Sequence, residues 1–262
     1  MPVHDPTPFP DVNAILQELL ESVQRILGSH FIGMYLDGSL TSGDFDQDSD
    51  IDFAVVTDED IAGDLFLALQ AMHDRIAALD SVWAIRLEGS YISQHAIRRY
   101  DPEHALHPNI EWGSGERLKM VVHDHWWTIH RYVLRERGIT LTGPSPETLI
   151  DPVTPADLQQ AMLPLLNSWA ANILEHPHLI QSQGYQSYVV LTLCRIQYTL
   201  QLGEVASKTK AASWAKENLA EKWRELIDRA VIGRHQWQLP VDPEDVKQTL
   251  DLIRYTLEHF SK

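Results

Sequence analysis

Gly38-Ser39, a gap of ten residues and then Asp50-Ile51-Asp52-Phe53-Ala54-Val55-Val56 is the stretch that decides the fold. Side chains along a strand alternate between its two faces. With residues 50–56 as a strand, Asp50 and Asp52 leave one face while Ile51 and Phe53 enter a core on the other. Neighbouring carboxylates repel each other unless a cation lies between them, so the spacing points to divalent metal. Gly38, in a turn after an apolar strand, lets backbone come close to a phosphate, and Ser39 can donate a hydrogen bond to it. Asp50 and Asp52 would then hold Mg2+ on the oxygens of a nucleoside triphosphate. Two such ions about 4 Å apart would clamp the attacking and leaving oxygens. The acidic run Asp44, Asp46, Asp48, Asp50 also invites comparison with a calcium loop. An EF-hand starting at Asp44 requires Gly at position 49 and Glu at position 55, where the chain has Ser49 and Val55.

Outward from this stretch, periodicity predicts a helix over 11–27 with Val12, Ile15, Leu16, Leu19, Leu20, Val23, Ile26 and Leu27 on its apolar side. Residues 31–36 read as a buried strand, 60–79 as a second helix and Val82–Leu87 as a third strand. Strands alternating with helices make this an N-terminal α/β domain. Gly143, Pro144, Pro146, Pro152 and Pro155 crowd residues 141–155 and place a boundary there, giving domains 1–150 and 151–262. Beyond it, residues 158–174, 185–202, 208–232 and 243–260 carry apolar side chains at three- and four-residue spacing. Asp242 before Pro243 forms a helix start, with an N-cap and Pro at the first helical position. The chain is therefore α+β: a sheet domain followed by a helical bundle, with the cleft between them as the expected ligand site.

Composition narrows the partners. The 262 residues are 44 % hydrophobic, enough for a real core. With 21 basic and 37 acidic residues, the formal charge is 21 − 37 = −16. Such a surface repels nucleic acid and attracts small cationic molecules. Neither a secretory signal nor a membrane-length apolar run stands in the sequence, so a cytoplasmic protein is expected. Cys194, the single cysteine, lies in an apolar helix and reads as a small buried hydrophobe. His123-Asp124-His125 offers two zinc-type ligands but no third, so zinc is not expected.

The Gly-Ser, ten-residue gap and Asp-x-Asp pattern resembles the signature of the polymerase-β-type nucleotidyltransferase superfamily. That resemblance implies a third carboxylate on a neighbouring strand, and Glu88 is the candidate, both as metal ligand and as the base that takes a proton from a substrate hydroxyl. Val189-Val190-Leu191-Thr192-Leu193-Cys194-Arg195-Ile196-Gln197-Tyr198-Thr199-Leu200, followed by Gly203-Glu204-Val205-Ala206-Ser207-Lys208 and Ala212-Ser213-Trp214-Ala215, is similar to the helical domain of the aminoglycoside 3″ and 9 adenylyltransferases. Those enzymes inactivate streptomycin and spectinomycin, an antibiotic-resistance activity.

The resemblance implies a mixed-sheet nucleotidyltransferase domain and a helical domain that closes over ATP. Arg195 and Lys208 match the family's nucleotide-contacting cations, and Gly38 and Ser39 would join them at the triphosphate. Glu111-Trp112 is similar to an acidic-Trp pair near the antibiotic, Trp169 to a second Trp, and Asp124 to another acid near the cleft. Aromatic walls of that kind pack on sugars or cations. Family enzymes that accept streptomycin carry acids ahead of the Arg helix, where this chain has Gly184-Tyr185-Gln186. The expectation is a monomer that uses Mg2+ to move AMP from ATP to a hydroxyl of a cationic acceptor. Adenylylation of a protein or of another small molecule and catalytically silent nucleotide binding are the alternatives.

Overall fold

The computed structural model describes residues 5–111 and 117–260, so Trp112 lies outside the described residues. The chain divides into two compact units, Met1–Pro152 and Val153–Lys262.

The first unit is built on helix α1 (Pro10–Leu27), strand β1 (Phe31–Leu36), the single-turn helix α2 (Gly38–Ser42), β2 (Ile51–Thr57), α3 (Gly63–Ala77) and β3 (Leu87–Ser93). There follow α4 (Gln94–Arg98), β4 (Leu106–Ile110), β5 (Lys119–Val122), α5 (Trp127–Arg137), β6 (Ile139–Thr142) and α6 (Pro146–Leu149). The strands form one sheet in the order β5-β4-β3-β2-β1-β6. β2 and β3 are parallel, joined through α3, and every other pairing is antiparallel. The sheet is therefore mixed.

Strand alternation builds two cores. Met34, Leu36, Ile51, Phe53, Val55, Leu87 and Tyr91 meet α1 and α3 on one face. Tyr35, Ala54, Val56 and Ile92 meet Ala96 and Ile97 of α4 and Trp127 and Leu134 of α5 on the other. The even-numbered side chains of β2, Asp52 among them, thus share the face that carries α5.

The second unit contains α7 (Pro155–Glu175), α8 (Gln183–Leu202), α9 (Lys208–Asn218), α10 (Arg224–Gly233) and α11 (Pro243–Phe260). Pro155 opens α7, behind a capping box in which Thr154 Oγ1 accepts from Asp157 N and Asp157 Oδ2 accepts from Thr154 N. Asp242 caps α11 as the sequence predicts, accepting from Glu244 N at 2.8 Å. α8 runs through the middle of the bundle, buried along most of its length. Among the described residues no helix is long and apolar enough to cross a membrane.

Three sequence expectations are corrected. Gly38-Ser39 is the first turn of α2 and not a plain turn: Asp37 caps it, accepting from Gly38 N at 2.6 Å. Val82–Leu87 is not a strand. Hydrogen bonds from Ala84 N to Ser81 O and from Arg86 N to Trp83 O coil it into turns, and Trp83 stacks on Phe45 at 5.2 Å. Ala84 and Leu87 are buried in the core while Val82 and Ile85 are exposed, Ile85 at 59 %, so the segment has no strand-like alternation of faces. Residues 208–232 form two helices rather than one. The break at Leu219-Ala220 is hidden because apolar spacing continues across it. At this helix end Lys216 O, one of the last carbonyls of α9, accepts from Arg224 Nε, and Trp214 O accepts from Asn218 Nδ2.

Candidate active site

The pairing of β2 with β3 places Asp52 directly opposite Glu88. Register partners in adjacent strands send their side chains to the same face. Asp50 precedes β2, where Ile51 N donates to Arg86 O at 2.8 Å and extends the pairing. Ligand oxygens of Asp50, Asp52 and Glu88 accordingly lie within 4.8 Å of one another, and all three residues are half-buried. Three carboxylates at that separation are mutually repulsive at neutral pH, and a divalent cation relieves the repulsion. Glu88 takes this position as the second residue of β3, not from the end of the expected strand at 82–87.

The Gly38-Ser39 segment closes over these carboxylates. Asp37 N donates to Asp52 O at 3.1 Å, tying the end of β1 to β2. Gly38 has φ +62°, and a Cβ placed there would collide with the Asp52 carboxylate. Only glycine meets both demands. Ser39 Oγ is buried and has no hydrogen-bond partner among the described residues. A buried hydroxyl in that state costs stability unless a ligand accepts from it. A phosphate oxygen would, so Ser39 and the three carboxylates together suit metal-bound ATP.

In the second unit, Arg195 on α8 donates from Nε to Ala206 O at 3.2 Å, two residues before Lys208. Lys208 is the first residue of α9, whose N-cap Ser207 accepts from Lys210 N at 3.2 Å. The turn between α8 and α9 therefore brings both cations to one end of the bundle. Trp169 is half-buried on α7.

The remaining candidates in the first unit are less gathered. Glu111 is exposed at the end of β4. Asp124 is exposed and accepts from Trp126 N at 2.9 Å, a local bond that starts α5. Cys194 is buried, with its thiol pushed up to about 12, which suits a packed hydrophobe and not a nucleophile. His123 is buried against the Arg131 guanidinium; burial and that cation push it down to about 2. His125, two residues on, is exposed.

Two residues beside the site escape sequence reasoning. Asp37, 5 % exposed, accepts from His130 Nδ1 on α5 at 2.7 Å. Asp37 precedes Gly38 and could have been noticed on that ground; His130 lies 93 residues away and gave no local signal.

Known proteins resemble both units of the chain. A family model described as nucleotidyltransferase domain matches residues 16–95, and one described as aminoglycoside adenylyltransferase, C-terminal domain, matches residues 148–255. The chain is 28 % identical over 225 residues to a spectinomycin 9-adenylyltransferase of Staphylococcus aureus, covering 82 % of each protein. It is 25 % identical over 255 residues to an aminoglycoside (3″)(9) adenylyltransferase of Escherichia coli, covering 93 % of this chain and 94 % of that one. A crystal structure of a spectinomycin adenyltransferase from Enterococcus faecialis, with ATP and spectinomycin, shares the fold. Its TM-score is 0.72 at 19 % identity, over 94 % of this chain and 98 % of that chain.

Proposed function

Because this chain belongs to the aminoglycoside adenylyltransferase family of nucleotidyltransferases, we propose that it transfers AMP from ATP to a hydroxyl of spectinomycin or a closely similar antibiotic, releasing pyrophosphate. The observation that carries the proposal is the Asp50, Asp52, Glu88 cluster set by the β2–β3 register. Asp50, Asp52 and Glu88 would hold Mg2+, which would neutralise phosphate charge.

The chain's own groups do the rest. Glu88 takes the proton of the acceptor hydroxyl as its oxygen attacks the α-phosphorus, and pyrophosphate departs with the electrons of the broken P–O bond. Ser39 donates to a phosphate oxygen, and Gly38 leaves room for that approach. Arg195 and Lys208 bind the triphosphate, which an acidic protein has to meet with local cations. Glu111, Trp112, Trp169 and Asp124 are proposed to face the acceptor, whose ammonium groups suit carboxylates and aromatic rings. The Gly184-Tyr185-Gln186 segment supplies no carboxylate; Tyr185 stacks on Tyr188 at 5.8 Å instead. Spectinomycin is accordingly the expected acceptor over streptomycin.

Incubation with ATP labelled at the α-phosphate, Mg2+ and a panel of aminoglycosides tests this. Label on spectinomycin supports the proposal. Label on protein, or ATP bound with every drug unmodified, rejects it.

A further inference from the structure

The Asp37 carboxylate is buried, so each of its oxygens needs a partner. One oxygen accepts from Gly38 N at 2.6 Å and the other from His130 Nδ1 at 2.7 Å. The same residue's N–H reaches Asp52 O. Asp37 therefore joins three parts of the site: the start of α2, the backbone of the metal-side strand and the α5 helix.

α5 is itself firmly placed. Arg131, next to His130, is buried and donates to Ala96 O and Ile97 O at 3.0 and 3.1 Å. Trp127, one turn earlier, lies against the His130 ring at 5.2 Å. His130 thus brings the position of a well-anchored helix to bear on a carboxylate whose other oxygen caps Gly38.

We propose that Asp37 and His130 are a positioning pair for nucleotide binding: His130 orients the Asp37 carboxylate, and Asp37 holds Gly38-Ser39 against Asp52. The pair rests on the reading of this site as an ATP site. Without the His130 donor, one buried oxygen of Asp37 loses its partner. The carboxylate then turns, and the Gly38 cap weakens. The consequence falls one residue away, on Ser39, and on the Asp52 contact. Loss of a group that orients binding residues commonly lowers affinity about tenfold or more.

Two substitutions separate positioning from packing. His130→Phe keeps the ring against Trp127 but has no donor. His130→Asn sacrifices the ring but keeps a donor near the Nδ1 position. Positioning predicts that His130→Phe weakens binding of a fluorescent ATP analogue with Mg2+ by about tenfold or more. It also predicts a raised KM for ATP and an unchanged KM for the acceptor, with His130→Asn closer to wild type in both. The reverse order, with His130→Asn the worse, assigns His130 to packing and overturns the pair. So does equal ATP affinity in all three proteins. If His130→Phe does not fold, the Asp37→Asn, His130→Ala and double variants decide, since His130→Ala removes the donor: a double no weaker than the worse single supports the pair, and additive losses overturn it. The binding assay uses no acceptor. A wild type that binds ATP and modifies no drug overturns the acceptor reading alone; a wild type without ATP affinity removes the site reading itself.

Discussion

At the scale of single residues, Gly38 and Glu88 bear the sharpest demands. Gly38 occupies the left-handed region and touches the Asp52 carboxylate, so Gly38→Ala meets both a backbone cost of about 1–2 kcal/mol and a collision. The expected outcome is a folded protein with a lowered melting temperature and an ATP affinity reduced by about tenfold or more, read by titration with Mg2+ present. Unchanged affinity would mean that the Gly38–Asp52 contact does not matter to the nucleotide. Glu88→Gln keeps the volume and removes the base. It should retain ATP binding and lose transfer by at least about a hundredfold; full turnover would reject the proton-acceptor role. The sequence makes these two legible because local spacing encodes them. The Gly-Ser offset and Asp-x-Asp parity are read within a few residues. Asp37–His130 is different: its physics is a contact between distant segments, and nothing near His130 distinguishes it from a surface histidine.

At the scale of elements, strands β1 and β2 and helices α1, α7, α8 and α11 stand where apolar patterning places them, because each segment carries enough apolar side chains at its own period to be buried. The strand expected at 82–87 fails because tertiary partners, Phe45 and the turn at Ser81, outbid local pattern. Elements β4, β5 and α5 are not among those that periodicity predicts, and the stretch they span contains a buried group of His107, His123 and Trp127. Burial pushes His107 down to about 4, and neither ring nitrogen has a partner among the described residues. Burial likewise pushes His73, on α3, down to about 4. These histidines are neutral when folded and take up protons near pH 6.5 when unfolded. The unfolded chain thus binds more protons below that pH. Their contribution is complete above about pH 6.5 and is lost as pH falls toward 4, by up to about 1.4 kcal/mol per pH unit for each group. His107→Phe removes one such group while keeping a ring against Trp127. Its melting temperature should fall less than that of the wild type between pH 7.5 and pH 5. Equal falls would show that His107 is not charged only on unfolding.

At the scale of the whole molecule, the excess of 37 acidic over 21 basic residues is the dominant feature. It favours a cationic acceptor and is screened over about 10 Å at 0.1 M salt. The KM for spectinomycin should therefore rise several-fold between low and high ionic strength. A KM indifferent to salt would assign recognition to uncharged contacts such as aromatic stacking. Fold class was legible at this scale, since alternating strands and helices followed by helices alone leave few architectures. The sheet order was not, because long-range pairing leaves no periodic trace. What the two units are for comes down to one reaction, and the mass of the drug reports it. Spectinomycin incubated with the enzyme, ATP and Mg2+ should gain one AMP, with one pyrophosphate formed per drug modified. Spectinomycin of unchanged mass, while the same protein binds ATP, would contradict the account.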